Sequence, residues 1–519
     1  MCYLDYVHRK FMKKRLTKKQ MIIFSLGQFG WSLLGGIISA WLVTFFMPSK
    51  VDAQNLGATQ YIVNGLVIGG FLTIIGLITA VSRLFDAVTD PLIASLSDRS
   101  TNKRGRRIPF MQIAAIPFAV VTVLLFCVDF GAGHWANILW VSVMIVLFYL
   151  FMTMYCTPYN ALISEFGQSQ EDRMFISTSI SFTYLFGTLF AYLPFVIAGA
   201  SYDAEKGELS NKLVTSMLAN SGMDQASAYA WSFRICFIIL AVIACVAMLI
   251  PAFALKETEF IDPKPSNENV FRSLASTFKN KDFRAFSASD IMYWVGLTMF
   301  QTGLPYFVKV SMGFDAGMTM LFMGGMSVLA AVFYPFVTKF VKKFGKKKLV
   351  IAGFLGLAIC YAIAAISSIP GICPEEGAGA TGISWLFGIA IMIISALPMA
   401  LLGIIPQSIV ADVAEAEAKI TGQNREGMFF AARTFAMKFG QSLAMILFTS
   451  LAVAMASSGV TTEEVYPDKS GMIIVASVAV AFCVLGAVLL LFYREKHVMK
   501  TIAKEEDAEF LKAIENEKK

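Results

Sequence analysis

The run Ser82-Arg83-Leu84-Phe85-Asp86-Ala87-Val88-Thr89-Asp90-Pro91 places three ionisable residues inside an apolar stretch of the chain. Arg83, Asp86 and Asp90 follow the i, i+3, i+7 spacing that lines side chains along one face of a helix. In a bilayer an ionisable group is expensive, so it needs a partner, a cavity or an ion. Counting back from Asp98 at about 1.5 Å per residue puts Asp90 roughly 12 Å and Asp86 roughly 18 Å deep in a ~30 Å hydrocarbon core. Two carboxylates one turn apart at that depth are suited to hold a cation or to share a proton. An internal pair of Arg83 with Asp86 leaves Asp90 unexplained, which favours the cation reading.

A second constellation carries the opposite charge. Ala432-Arg433-Thr434-Phe435-Ala436-Met437-Lys438 lies late in the chain, and counting from Arg425 puts Lys438 roughly 20 Å deep, level with Asp86. An ammonium there can pair with the carboxylates, and a pair whose strength depends on cation occupancy couples an ion to a cargo. Arg433 is shallower and suits closure of the cytoplasmic side. A third stretch, Thr153-Met154-Tyr155-Cys156-Thr157-Pro158-Tyr159-Asn160, brings Thr153 and Cys156 to the same depth, with Glu165 at the cytoplasmic mouth. Pro158 either frees backbone carbonyls that can ligate an ion or serves helix packing alone. Asp290 falls about 9 Å past Arg284 and is expected as an interfacial residue paired with a loop arginine.

The elements that must position these groups are legible in the composition. Of 519 residues, 57% are apolar and 15% charged, and the mean hydropathy is +0.65, well outside the range of soluble domains. Apolar runs long enough to cross a bilayer begin near Met21, Gly65, Ile108, Ala136, Met174 and Tyr229, then near Ala285, Gly317, Leu349, Ile383, Met428 and Gly471. The predicted fold is therefore all-α and polytopic, with twelve transmembrane helices in two six-helix halves. The expected divisions are a cytoplasmic segment 1–20, a first bundle 21–255, a linker 256–284, a second bundle 285–494 and a cytoplasmic tail 495–519. That tail is charged and is expected to be solvated. The first twenty residues lack the apolar core and cleavage site of a signal peptide. Basic residues cluster at Arg99, Lys103, Arg104, Arg106 and Arg107 and again at Lys339, Lys342, Lys343, Lys346, Lys347 and Lys348, which predicts that these loops and both termini are cytoplasmic.

The halves echo one another, with Lys103-Arg104-Gly105-Arg106-Arg107 answered by Lys343-Phe344-Gly345-Lys346-Lys347. Repeated six-helix units with matching basic loops are the pattern of the major facilitator architecture, which holds its cargo near the midplane between the halves. On that architecture Ser32, Tyr159, Asn160 and Lys438 are expected to line the cargo cavity.

These residues resemble the glycoside–pentoside–hexuronide:cation symporters of the major facilitator superfamily, and the likeness spans nearly the whole chain. Its most specific element is Arg83-Leu84-Phe85-Asp86-Ala87-Val88-Thr89-Asp90-Pro91, similar to the family motif whose two aspartates bind the coupling cation. Arg104-Gly105-Arg106-Arg107-Ile108-Pro109, Val410-Ala411-Asp412, Thr421-Gly422-Gln423-Asn424-Arg425-Glu426-Gly427 and Lys438 agree with it. Thr153 falls where the family places a threonine at its sodium site. The resemblance implies cation-coupled symport by alternating access, with Asp86, Asp90, Thr153 and Cys156 at the cation, and with Arg83, Asp290, Arg433, Glu165 and Asp412 coupling or gating. Departures fall on the cargo positions. Compared with a galactoside-carrying member, the first-helix aspartate becomes Ser32, the fourth-helix aspartate Cys156 and its tryptophan Asn160, and no base lies between Arg173 and Lys206. Losing the fourth-helix carboxylate leaves both Na+ and H+ open as coupling ions.

The expected function is thus symport of a small organic solute, a sugar or glycoside, in a plasma or bacterial inner membrane. The alternatives are a lysolipid or other non-sugar cargo, carried by eukaryotic relatives of similar helices, and a non-transporting membrane sensor. The chain is expected to be no enzyme: it shows no zinc-binding histidine pair and no Gly-x-Ser-x-Gly elbow, and His8, His134 and His497 sit at chain ends or loops. Its net charge of +7 belongs to short loops, where it orients helices rather than binding nucleic acid. No cofactor besides the coupling cation is expected, the cysteines read as packing residues, and the expected partners are solute and membrane lipid, with the chain a monomer.

Overall fold

In hydrocarbon a backbone must satisfy its own hydrogen bonds, so long apolar runs become helices. The computed structural model describes residues 15–66, 68–100, 102, 104–167, 170–198, 202–203, 208–209, 212–260, 276–421, 426–454 and 465–503. The basic residues from Arg9 to Lys14, Lys103, Lys206, the linker stretch 261–275, the loop 422–425 and the tail from residue 504 lie outside the described residues. Twelve long helices stand among those described: α1 Lys18–Phe46, α2 Ile74–Asp98, α3 Ile108–Phe126, α4 Trp135–Phe166, α5 Gln170–Phe190, α6 Gln225–Ala254, α7 Lys281–Tyr306, α8 Met318–Phe344, α9 Lys346–Ser367, α10 Gly382–Thr421, α11 Glu426–Ala452 and α12 Lys469–Leu490. A two-residue hairpin, Tyr202–Asp203 against Glu208–Leu209, is the one sheet among the described residues.

Local chemistry starts the helices. Thr17 and Gln20 form a reciprocal capping box at α1, while Asn280 and Asp468 cap α7 and α12 through their side chains, each satisfying a backbone donor that the first turn leaves unpaired. Ten of the twelve helices are long and apolar enough to cross a membrane. The other two, α2 and α7, have 25 and 26 residues but carry the ionisable residues singled out above. Exposed apolar side chains run in stripes, such as Ile113, Ile116 and Val120 on α3 and Ile239, Val242, Val246 and Phe253 on α6. Such stripes are stable against acyl chains and costly against water. Helix α10, at 40 residues, is roughly 60 Å long and outruns the hydrocarbon, so its last turns carry Asp412, Glu415, Glu417 and Lys419 in a polar zone.

The chain forms two compact units, 1–63 with 88–267, and 64–87 with 268–519. In the first unit, α1 packs closely on α5 and α6. A Cβ on Gly187 would stand 2.0 Å from Ser32 Oγ and 2.7 Å from the Phe29 carbonyl, so only glycine lets these two backbones approach. In the second unit, residues 64–87 lie along α11 through a ladder of polar contacts: Thr73 Oγ1 donates to Thr449 Oγ1 at 2.8 Å, and Ser442 Oγ donates to the Ala80 carbonyl at 2.9 Å. That ladder is why the first half of α2 groups with the second unit.

The described part of the C-terminal segment departs from the expected solvated tail. Val498 and Ile502 are buried, Lys419 Nζ donates to the Ile502 carbonyl at 3.2 Å, and Arg494 grips Asp282 of α7 with two guanidinium hydrogen bonds of 3.0 and 2.9 Å. The apolar side chains at 498 and 502 share one helical face, which docks while the lysines point outward.

Candidate functional site

In the second unit, Asp86 projects from α2 into a site with 0% exposure, and Lys438 Nζ of α11 lies 2.8 Å from its Oδ2 and donates to its backbone carbonyl at 3.3 Å. Burying two charges is offset only when they face each other closely, and the α2–α11 ladder holds this pair in register. Arg83, one turn earlier on α2, is half-buried.

Asp290 and Arg433 form a second buried pair. Nε of Arg433 donates to Oδ2 at 3.0 Å and Nη2 to Oδ1 at 3.2 Å. The sequence placed Asp290 at the interface with a loop arginine; its partner is instead the helical Arg433. Asp290 faces α11, and a planar guanidinium matches both carboxylate oxygens. At the far end of the unit, Lys346 Nζ meets Asp412 Oδ2 at 2.5 Å, and Glu495 accepts from the backbone N–H groups of Lys346 at 2.7 Å and Lys347 at 3.2 Å.

The first unit holds Asp90, half-buried, whose Oδ1 accepts from Thr157 Oγ1 at 3.3 Å. On the same helix α4, Thr153 is buried and Cys156 half-buried. Tyr159 is fully buried, stacks on Phe24 at 4.4 Å and donates its hydroxyl to the Phe24 carbonyl at 3.0 Å. Ser32 is likewise buried, and donates to the Phe29 carbonyl at 3.1 Å. Both hydroxyls expected to face cargo are thus committed to backbone. Asn160 is exposed. Glu165 pairs with Arg106 and, at 3.1 Å, with Arg107, while Glu257 accepts from the N–H groups of Arg107 at 2.8 Å and Ile108 at 3.1 Å.

Three residues here escaped the sequence reading. Thr157 stood beside Cys156 in the quoted motif, but a count of depth alone does not say which of two neighbours turns toward α2. Glu257 and Glu495 were assigned to linker and tail. Their signal was available: Leu255-Lys256-Glu257 and Tyr493-Arg494-Glu495 close the two halves at equivalent places, so the repeat extends past the basic loops to the acids that cap them.

Lipid-facing stripes, twelve long helices among the described residues and ion pairs buried within the helices define a polytopic membrane transporter. The chain belongs to the family of MFS/sugar transport proteins, whose family model matches residues 23–495. It is 26% identical over 444 residues to an uncharacterized symporter, YjmB, of Bacillus subtilis (strain 168), covering 84% of this chain and 83% of that protein. It is 23% identical over 438 residues to the isoprimeverose transporter of Lactiplantibacillus pentosus, covering 83% and 79%. A sodium-dependent lysophosphatidylcholine symporter, 1-A, of Danio rerio is 22% identical over 468 residues, covering 84% of each chain. The crystal structure of the nucleoside transporter NupG superposes with a TM-score of 0.55 at 14% identity, covering 91% of this chain and 98% of that one, which shows the major facilitator fold.

Proposed function

We propose that this protein is a cation-coupled symporter of a small hydroxylated solute, a sugar or glycoside, working by alternating access. The observation that carries the reading is the buried Lys438–Asp86 pair. With no ion bound, Asp86 has the ammonium as its partner. A cation held by Asp86 and Asp90, one turn apart on α2, competes for that carboxylate and releases Lys438 to cargo or to helix movement. Thr153, Cys156 and Thr157 of α4 supply the neutral ligands on the Asp90 side. Two carboxylates suit Na+ and H+ alike, so the coupling ion is set by experiment. Asn160 and Lys438 face the cargo, while Ser32 and Tyr159 shape the helices that present it. Arg83, Asp290, Arg433, Glu165 and Asp412 serve gating, with both termini in the cytoplasm of a cell whose plasma or inner membrane holds the chain.

A lysolipid cargo is the second reading, supported by the likeness to the lysophosphatidylcholine symporter at coverage close to that of the isoprimeverose transporter. A non-transporting sensor is disfavoured by the retention of Asp86, Asp90 and Lys438. The test is uptake into proteoliposomes of labelled glycosides, pentosides, hexuronides and lysolipids, with Na+, H+ or no gradient imposed. Accumulation of a sugar only under one cation gradient is expected. Accumulation of lysolipid alone moves the assignment to the second reading, and no gradient-driven uptake of any of them ends the symporter reading.

A further inference from the structure

Helices α7 and α11 run side by side in the second unit. Asp290 pairs with Arg433 and Thr302 Oγ1 donates to the Met445 sulfur at 3.6 Å, each 143 residues apart in sequence. Between these two levels the helices approach closely: a Cβ on Gly440 would stand 2.7 Å from the Ile291 carbonyl and 3.1 Å from Trp294 Cβ. Thr298 and Gln441 share the 143-residue offset of those two contacts, which places them at neighbouring levels on the two helices.

Thr298 departs from most helical threonines of this protein. Helical threonines in this protein commonly spend the hydroxyl on the preceding turn, as Thr79, Thr122, Thr183, Thr188, Thr434 and Thr449 do. Thr298 is 8% exposed, yet its Oγ1 has no hydrogen bond, and Gln441 Oε1 is buried with none either. Buried polar atoms in native proteins have partners with few exceptions, and each exception calls for an explanation, such as strain, a catalytic role, or a water, ion or ligand that completes it. Asp290, Trp294 and Thr298 follow one another at i, i+4 and i+8, so the Trp294 indole lies on the same face of α7, between the ion pair and Thr298. Gln441 stands three residues beyond Lys438, one turn along α11.

We propose that Thr298 and Gln441 form a neutral hydrogen-bonding subsite for one hydroxyl of a pyranoside cargo, with the Trp294 indole offering an apolar face to the sugar ring. The subsite rests on the symporter reading and deepens it to a neutral, hydroxylated substrate. A hydroxyl can donate to the Gln441 oxygen while accepting from Thr298, which satisfies both orphans together. A lysolipid acyl chain would leave them unmatched. A site built on such pairing discriminates strongly against an analogue that lacks the group.

The test uses the full-length protein purified in detergent, titrated calorimetrically with methyl glucoside, methyl galactoside, methyl xyloside and their monodeoxy versions. Wild type is expected to bind at least one parent glycoside, and to bind one of its monodeoxy versions roughly tenfold more weakly. Thr298→Val should bind that parent more weakly and distinguish the two less than wild type does, because Gln441 still accepts from the hydroxyl; Thr298→Val combined with Gln441→Leu should no longer distinguish them. Thr298→Ser should restore the distinction. Losing the distinction for one hydroxyl separates direct contact from a general loss of folding or from a bridging structural water. If Thr298→Val keeps the parent affinity, or still discriminates as wild type does, the subsite is overturned and the symporter reading stands. If wild type binds none of the three glycosides, both the subsite and the sugar assignment fall.

Discussion

Glu257 and Glu495 perform the same task in the two halves of the chain. Each carboxylate accepts two consecutive backbone N–H groups at the start of a helix, Arg107 and Ile108 for one, Lys346 and Lys347 for the other. Each sits against a glycine with positive φ, Gly105 at 115° and Gly345 at 82°. A Cβ on Gly105 would stand 2.4 Å from a Glu257 carboxylate oxygen, so the glycine and the acid require each other. An anion at a helix N-terminus satisfies orphan donors and complements the helix dipole. The two sites differ in burial, Glu257 being 1% exposed and Glu495 half-buried. Glu257→Ala should therefore cost about 3 kcal/mol and Glu495→Ala about 1 kcal/mol, as measured by thermal unfolding of the detergent-solubilised protein. Equal losses would contradict the burial argument.

The Lys438–Asp86 pair makes a prediction about single and double variants. Asp86→Asn leaves an ammonium buried without its counter-charge, at a cost of about 3–5 kcal/mol. Asp86→Asn combined with Lys438→Gln should recover most of that stability without recovering gradient-driven uptake. Unfolding midpoints and proteoliposome uptake measured on the same preparations check both halves of the statement.

Asp90 is separable from that pair because its partner in its own unit is Thr157. Asp90→Asn should abolish accumulation against a gradient while leaving downhill exchange. Thr157→Val should weaken the apparent cation affinity roughly tenfold, the worth of one hydrogen-bonding ligand. If Asp90→Asn still concentrates solute with unchanged cation dependence, α2 is not the coupling element and Asp290 becomes the next candidate.

Gly187 of α5, which faces α1, and Gly35 on the open side of α1 should behave oppositely. Gly187→Ala drives a methyl into Ser32 and the α1 backbone and should cost about 1–3 kcal/mol. Gly35 has open space around its missing Cβ, so Gly35→Ala should gain up to about 1 kcal/mol from helix propensity. Thermal melting of the two variants side by side gives the comparison.

Topology can be read with single introduced cysteines at exposed positions. Ala132→Cys should react with an impermeant maleimide from outside intact cells, and Arg104→Cys only after permeabilisation. Reaction of Arg104→Cys from outside would reverse the orientation inferred from the basic loops.

The helices were legible because hydrocarbon thickness and backbone hydrogen bonding leave an apolar run of about 20 residues one solution. The helices α2 and α7 were recovered despite their charges because their lengths and flanks still fit. The rarity of charge inside such runs likewise singled out Asp86, Asp90, Lys438 and Arg433 from sequence alone. What sequence could not assign was partnership. Depth along a helix is a one-dimensional count, whereas a contact depends on rotation and on which helix lies alongside. Asp290 and Arg433 are 143 residues apart and meet because α7 and α11 share a register. Tyr159 and Ser32 have the polarity of cargo contacts, yet packing turned their hydroxyls to backbone carbonyls. Glu257 and Glu495 looked like solvated loop acids until the fold brought them beneath two helix N-termini. Residue type and spacing determined which groups had to be accounted for; tertiary packing decided which of them found a partner and which, like Thr298 and Gln441, were left to meet one from outside the chain.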